Sequence, residues 1–121
     1  MKKRDISLIL ILFTLLLGGC KYDFVLPAVV APVNNGGQPI SFATQIVPIF
    51  ASTCIGCHST QAPTMNASSA YAQLVPSYVN KTTPASSKLY INASSGSHYA
   101  KVSATQAALI HQWITEGANN N

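Results

Sequence analysis

The chain has 121 residues, 48% of them hydrophobic and 8% charged, with three cysteines and a net charge of +4. That length suits one small domain, and three cysteines are an odd number that cannot close into a disulfide framework. The charge belongs mostly to Lys2, Lys3 and Arg4: without residues 1–19, which also hold Asp5, it falls to +2, and no basic stripe remains for a nucleic acid.

Lys2, Lys3 and Arg4 form a positive start, followed by an apolar run from Ile6 to Leu17 that only Ser7 and Thr14 interrupt. This is the anatomy of a secretory signal, and the run is too short to span a bilayer as a mature helix. It ends in Leu17-Gly18-Gly19-Cys20, which is similar to a bacterial lipobox. Residues 1–19 are therefore expected to be a lipoprotein signal peptide, with Cys20 as the lipidated N-terminus of a mature protein anchored to a membrane of the bacterial cell envelope and exposed outside the cytoplasm. The competing reading is ordinary signal cleavage beside a spare thiol. Residues 20–40, with Pro27, Pro32, Pro39, Asn34, Asn35, Gly36 and Gly37 and no helical period, read as a flexible tether. Its Phe24, Val25, Leu26, Val29 and Val30 could instead pack as a short strand.

From residue 41 to 121 the pattern is that of a small all-α domain. Phe42, Ile46, Ile49 and Phe50 recur at i, i+4, i+7 and i+8 and mark one apolar helix face. A regular helix beginning near Thr44 keeps Pro48 close to the first turn, where its missing N–H costs little. Its C-terminal end delivers Cys54-Ile55-Gly56-Cys57-His58. C-x-x-C-H is the attachment signature of a c-type haem. Two thiols one turn apart can add to the two vinyl groups of one porphyrin, and the next imidazole can bind its iron. Cys54 and Cys57 are then the covalent anchors and His58 the proximal ligand. A zinc half-site or a redox dithiol competes. Zinc would need further ligands from His98 or His111, and a dithiol of the thioredoxin kind would want a βαβ context.

After His58 a loop containing Pro63 is predicted, then a short helix capped by Asn66 or Ser68 that runs through Tyr71, Leu74 and Val75 until Pro76 stops it. Thr83-Pro84 predicts an N-cap with proline at the first helical position and a short helix through Leu89 and Tyr90, and residues 92–97 read as polar loop. The last helix is the best specified. Ser103-Ala104-Thr105-Gln106 has capping-box spacing, Leu109 with Trp113 and Ile110 with Ile114 are i,i+4 apolar pairs, and Gly117 suits the C′ position. Asn119, Asn120 and Asn121 are expected to fray. The sequons at Asn66, Asn80 and Asn92 reflect a composition rich in Asn, Ser and Thr and carry no functional weight.

Val47-Pro48-Ile49-Phe50 before the motif, Ser87-Lys88-Leu89-Tyr90, and Gln112-Trp113-Ile114 with Glu116-Gly117-Ala118 complete a pattern. Over roughly residues 41–118 it resembles the small monohaem class I-type c cytochrome domains of exported bacterial proteins. The resemblance implies a helical fold whose first and last helices cross beside one covalent haem, with Trp113 at the crossing. Such domains commonly carry a distal methionine in the loop before the last helix, which here runs from Gly96 to Val102 without one. His98 is the expected distal ligand. Met65, seven residues after His58, an open site, and Tyr99 or His111 are the alternatives. A six-coordinate haem suits single-electron transfer between extracytoplasmic redox partner proteins, whereas an open site suits binding or sensing of a small gas. No acid/base pair for peroxide chemistry accompanies the motif, so no enzymatic activity is expected. If the lipobox reading holds, Cys20→Ala moves the protein from the membrane to the soluble fraction and leaves the haem spectrum intact; unchanged membrane fractionation overturns it.

Overall fold

The computed structural model describes Val33 and residues 35–121; the expected signal, Cys20 and most of the expected tether lie outside the described residues. These are helical, with no strand among them. Four helices and one 3₁₀ turn make up the domain. The first, α1, is a composite run of a π-helical turn Phe42–Ile46, an α turn Val47–Ile49, a second π turn Phe50–Cys54 and an α turn Ile55–His58. Next come α2 (Ala70–Tyr78), a 3₁₀ turn (Pro84–Ser86), α3 (Lys88–Ser94) and α4 (Ala104–Thr115). Helix α4 packs against the start of α1, the 3₁₀ turn and α3, and α2 packs against α3. No helix among the described residues is long and apolar enough to cross a membrane.

The composite character of α1 follows from Pro48. In a uniform α-helix its ring would meet the carbonyl one turn back and its missing N–H would leave a gap. The wider π turn, in which Val47 N–H reaches back to Phe42 O, opens the helix just ahead of the ring. The helix consequently begins two residues before Thr44, with Ser41 as N-cap and its Oγ accepting from Thr44 N–H at 3.3 Å. Phe42, Ile46, Ile49 and Phe50 are all buried, as their spacing predicts. At the second π turn Ile55 N–H bonds Phe50 O. The hydroxyls of Ser52 and Thr53 donate to Ile49 O, at 3.1 and 2.6 Å.

Three boundaries differ from the sequence reading. Pro76 does not stop α2, which runs on to Tyr78. The carbonyl that loses a partner there belongs to Ala72, an exposed residue, so water can serve it. Neither Asn66 nor Ser68 is the cap. Ser69 holds that position without a side-chain bond, and Asn66 O accepts from Ser69 N–H at 3.0 Å and Ala70 N–H at 2.8 Å. The segment after Thr83 divides at Ser87, which is extended (ψ 127°) and 1% exposed. Its Oγ accepts from Asn80 N–H at 2.8 Å and donates to Asn80 O at 3.3 Å, so this buried hydroxyl is satisfied and α3 starts afresh, continuing to Ser94 through part of the expected loop.

Helix α4 has the predicted capping box, with Gln106 N–H on Ser103 Oγ at 3.2 Å and Ser103 N–H on Gln106 Oε1 at 2.8 Å. Gly117 takes φ 102°, a conformation that favours glycine. Its N–H reaches Ile114 O at 3.0 Å, and Ala118 N–H reaches Trp113 O at 2.9 Å, the paired bonds of a Schellman motif. The expected fraying of Asn119–Asn121 is not found. Trp113 Nε1–H donates to Asn119 O at 2.9 Å, and Asn121 caps α1, accepting Phe42 N–H on Oδ1 and Ala43 N–H on its backbone oxygen, both at 2.9 Å. The chain just before α1 joins the same end: Val33 N–H bonds Gln112 Oε1 at 2.8 Å and Ile40 N–H bonds Glu116 Oε2 at 2.6 Å.

An aromatic cluster fills the centre. Phe42 meets Trp113, Tyr71 and Phe50 at ring-centre separations of 5.2, 5.3 and 6.2 Å, and Tyr71 Oη donates to Ala118 O at 2.9 Å. Trp113→Ala is expected to remove about 3–5 kcal/mol, a large part of a small domain's stability, measured by urea unfolding. Tyr71→Phe, which loses one hydrogen bond, should cost about 1 kcal/mol.

Candidate functional site

The same periodicity that buries the start of α1 continues past the core. Phe50, Cys54 and His58 stand at i, i+4 and i+8 and line one apolar cavity of about 620 Å³, its open mouth included. Leu74 and Tyr78 of α2, Leu89, Asn92 and Ala93 of α3, and Ile110 of α4 supply other walls. The loop after α1 contributes Pro63 and Met65, and the turn before α4 contributes His98 and Val102. No carboxylate, lysine or arginine lines it.

His58 is half-buried, and its Nδ1 lies 3.0 Å from Pro63 O. A carbonyl oxygen only accepts, so Nδ1 carries the proton and Nε2 keeps its lone pair. The loop that brings Pro63 there closes on α1 itself: Met65 N–H bonds His58 O at 2.9 Å and Asn66 Nδ2 bonds Ser59 O at 3.0 Å. Cys54 is half-buried, with Sγ 3.3 Å from Thr53 Oγ1, while Cys57 is exposed; both are free thiols. Three residues apart on one helical turn, they lie on the same side of α1.

Opposite His58 stands His98, with ring centres 6.0 Å apart and planes tilted by 49°. Its Nδ1 is also engaged, 2.8 Å from Ser97 Oγ. The turn that carries it is fastened to the end of α3 by Gly96 N–H to Ile91 O at 2.7 Å and His98 N–H to Asn92 O at 3.1 Å. Of the other distal candidates, Met65 lines the cavity from the His58 side of the loop. Tyr99 is 62% exposed, and His111 packs against Tyr90 with ring centres 4.6 Å apart and planes tilted by 48°; neither lines the cavity. Among the described residues no three His, Cys, Asp or Glu side chains group to hold a bare metal ion.

The sequence reading missed Pro63 as the partner of His58, Ser97 as the partner of His98, and Gly96 as the residue that lets the turn close. Proline five residues after the motif histidine was a readable signal for the first. The other two depend on how α3 meets the turn. No family model, no curated protein and no solved structure matches the chain.

A Cβ on Gly96 would stand 2.8 Å from Asn92 Cα and 2.9 Å from Asn92 Oδ1, and backbone cannot yield as a flexible side chain does. Gly96→Ala is expected to cost about 1–3 kcal/mol and to speed amide hydrogen exchange at His98 while leaving Met65 protected. Equal protection of His98 in both proteins would refute this role for Gly96.

Proposed function

We propose that the chain is a lipid-anchored monohaem c-type cytochrome that carries single electrons between extracytoplasmic redox partner proteins. One observation carries the reading: two imidazoles line one apolar cavity with ring centres 6.0 Å apart, each with Nδ1 engaged, together with the free thiol of Cys54, while the free thiol of Cys57 is exposed three residues on along the same helix. The two rings lie close enough, on walls of the same cavity, for both to serve one bound group. Two imidazoles and two free thiols, with no carboxylate, lysine or arginine on the cavity wall, are a donor set that fits a covalently held haem. When bound, the haem supplies a reversible one-electron change at iron.

The rest falls to the chain's own residues. Cys54 and Cys57 would hold the porphyrin covalently. His58, its ring oriented by Pro63 O, would be the proximal ligand. His98 would be the distal ligand. Phe50, Met65, Leu74, Val102 and Ile110 give the site apolar walls, which would limit rearrangement of water on that side when the charge at iron changes, while His98 lies at the exposed mouth. Because no carboxylate, lysine or arginine lines the cavity, transfer of electrons is favoured over peroxide chemistry. The lipid on Cys20 would keep the domain near its partners.

The test is an absorption spectrum of protein matured with the haem-attachment machinery, first oxidised, then reduced with dithionite, then exposed to CO. Sharp reduced α and β bands that resist CO are expected. Cys57→Ala should lose or weaken covalent attachment, and His98→Ala should let CO bind at once. A broad reduced band that CO shifts immediately in the unaltered protein would favour a gas-binding lipoprotein with an open distal site. No haem spectrum at all would end both readings.

A further inference from the structure

The two facing imidazoles are held by partners of different chemistry. Pro63 O, on Nδ1 of His58, is an acceptor and nothing else. Ser97 Oγ, on Nδ1 of His98, can accept or donate. The direction of that bond decides what His98 can do. A serine that donates leaves the ring proton on Nε2, which then has no lone pair for a metal. A serine that accepts holds the proton at Nδ1 and frees Nε2.

Resting on the haem reading above, we propose that Ser97 is the positioning residue of His98: its hydroxyl accepts the Nδ1 proton, holding the tautomer and ring direction in which Nε2 binds iron. The surroundings favour this direction. Ser97 is exposed, so its own hydroxyl proton can go to water while its lone pair serves the ring. The backbone on both sides is fastened, by Gly96 N–H to Ile91 O at 2.7 Å, His98 N–H to Asn92 O at 3.1 Å and Lys101 N–H to His98 O at 2.9 Å. The absence of a Cβ at Gly96 lets the turn approach Asn92 closely enough for these bonds. A turn with so settled a backbone presents the hydroxyl and the ring to each other at 2.8 Å. Partners of this kind behind a metal-bound histidine fix its tautomer and orientation, and their loss typically weakens metal binding about 10–100-fold. In Ser97→Ala, water can replace the acceptor but not its direction.

The experiment compares full-length, haem-loaded protein with its Ser97→Ala and Ser97→Thr variants. It reads the midpoint potential and the CO concentration that half-saturates the reduced form. Ser97→Ala is expected to lower that CO concentration about 10–100-fold and to raise the potential, because a less firmly held imidazole stabilises ferric iron less. Ser97→Thr, which keeps the hydroxyl, should restore both towards the unaltered values. If Ser97→Ala changes thermal stability alone, with potential and CO binding unmoved, Ser97 is a turn residue and the proposal is wrong. The outcome is distinct from failure of the underlying reading. That failure would appear as no haem spectrum, or as His98→Ala leaving the spectrum and CO binding of the loaded protein unchanged.

Discussion

The turn of the chain back from α4 onto the start of α1 is the constraint on which the other elements depend. Gly117 at φ 102° closes α4, and Trp113 Nε1–H holds Asn119 O. Asn121 then supplies two acceptors to the open N–H groups of Phe42 and Ala43. The first N–H groups of any helix lack partners within it, and a side-chain cap is typically worth about 1 kcal/mol. Here the cap also sets direction. It fastens the beginning of α1 beside Trp113, and the Phe42 ring between Trp113 and Tyr71 keeps it there. Because α1 is a single continuous run, fastening its start determines where Cys54 and His58 emerge.

The two π turns reconcile that direction with Pro48. They widen α1 ahead of the proline and again ahead of the motif, so the apolar stripe that enters the core as Phe42, Ile46 and Ile49 leaves it as Phe50, Cys54 and His58 on the cavity wall. One face of one helix thus serves first as core and then as site. Single π turns inside α-helices are frequent at functional sites, and Thr53, whose hydroxyl is 2.6 Å from Ile49 O, sits directly before the first thiol.

Polar groups at the cavity are few. Among the described residues no buried side-chain nitrogen or oxygen lacks a partner. The histidines come from opposite kinds of element: His58 ends a helix pinned at both its start and its closing loop, and His98 lies on a turn tied only to the end of α3 and to itself. That asymmetry suits the proposed electron carrier, in which the covalent attachment and the proximal ligand share one helix and the distal ligand is placed by the neighbouring one.

Local chemistry was legible in the amino-acid order. C-x-x-C-H needs only five consecutive residues to declare two thiols and an imidazole on one helical turn. The capping box at Ser103 and Gln106 and the C′ glycine at position 117 likewise need only near neighbours, and the apolar spacing of α1 and α4 marked residues that prove buried. What involved distant partners was not legible. Pro76 is tolerated inside α2 where the residue one turn back, Ala72, is exposed, Ser87 divides a helix because a buried hydroxyl meets the Asn80 backbone, and Asn121 caps α1 from the other end of the domain. His98 was expected opposite His58 and Pro63 lies within reach of the motif in sequence, but the 6.0 Å between the two rings was set by tertiary structure. Spacing along the chain determines which side chains share a helix face, but only the packing of α3 against α2 and α4, and of α4 against the start of α1, determines which two rings meet at one cavity.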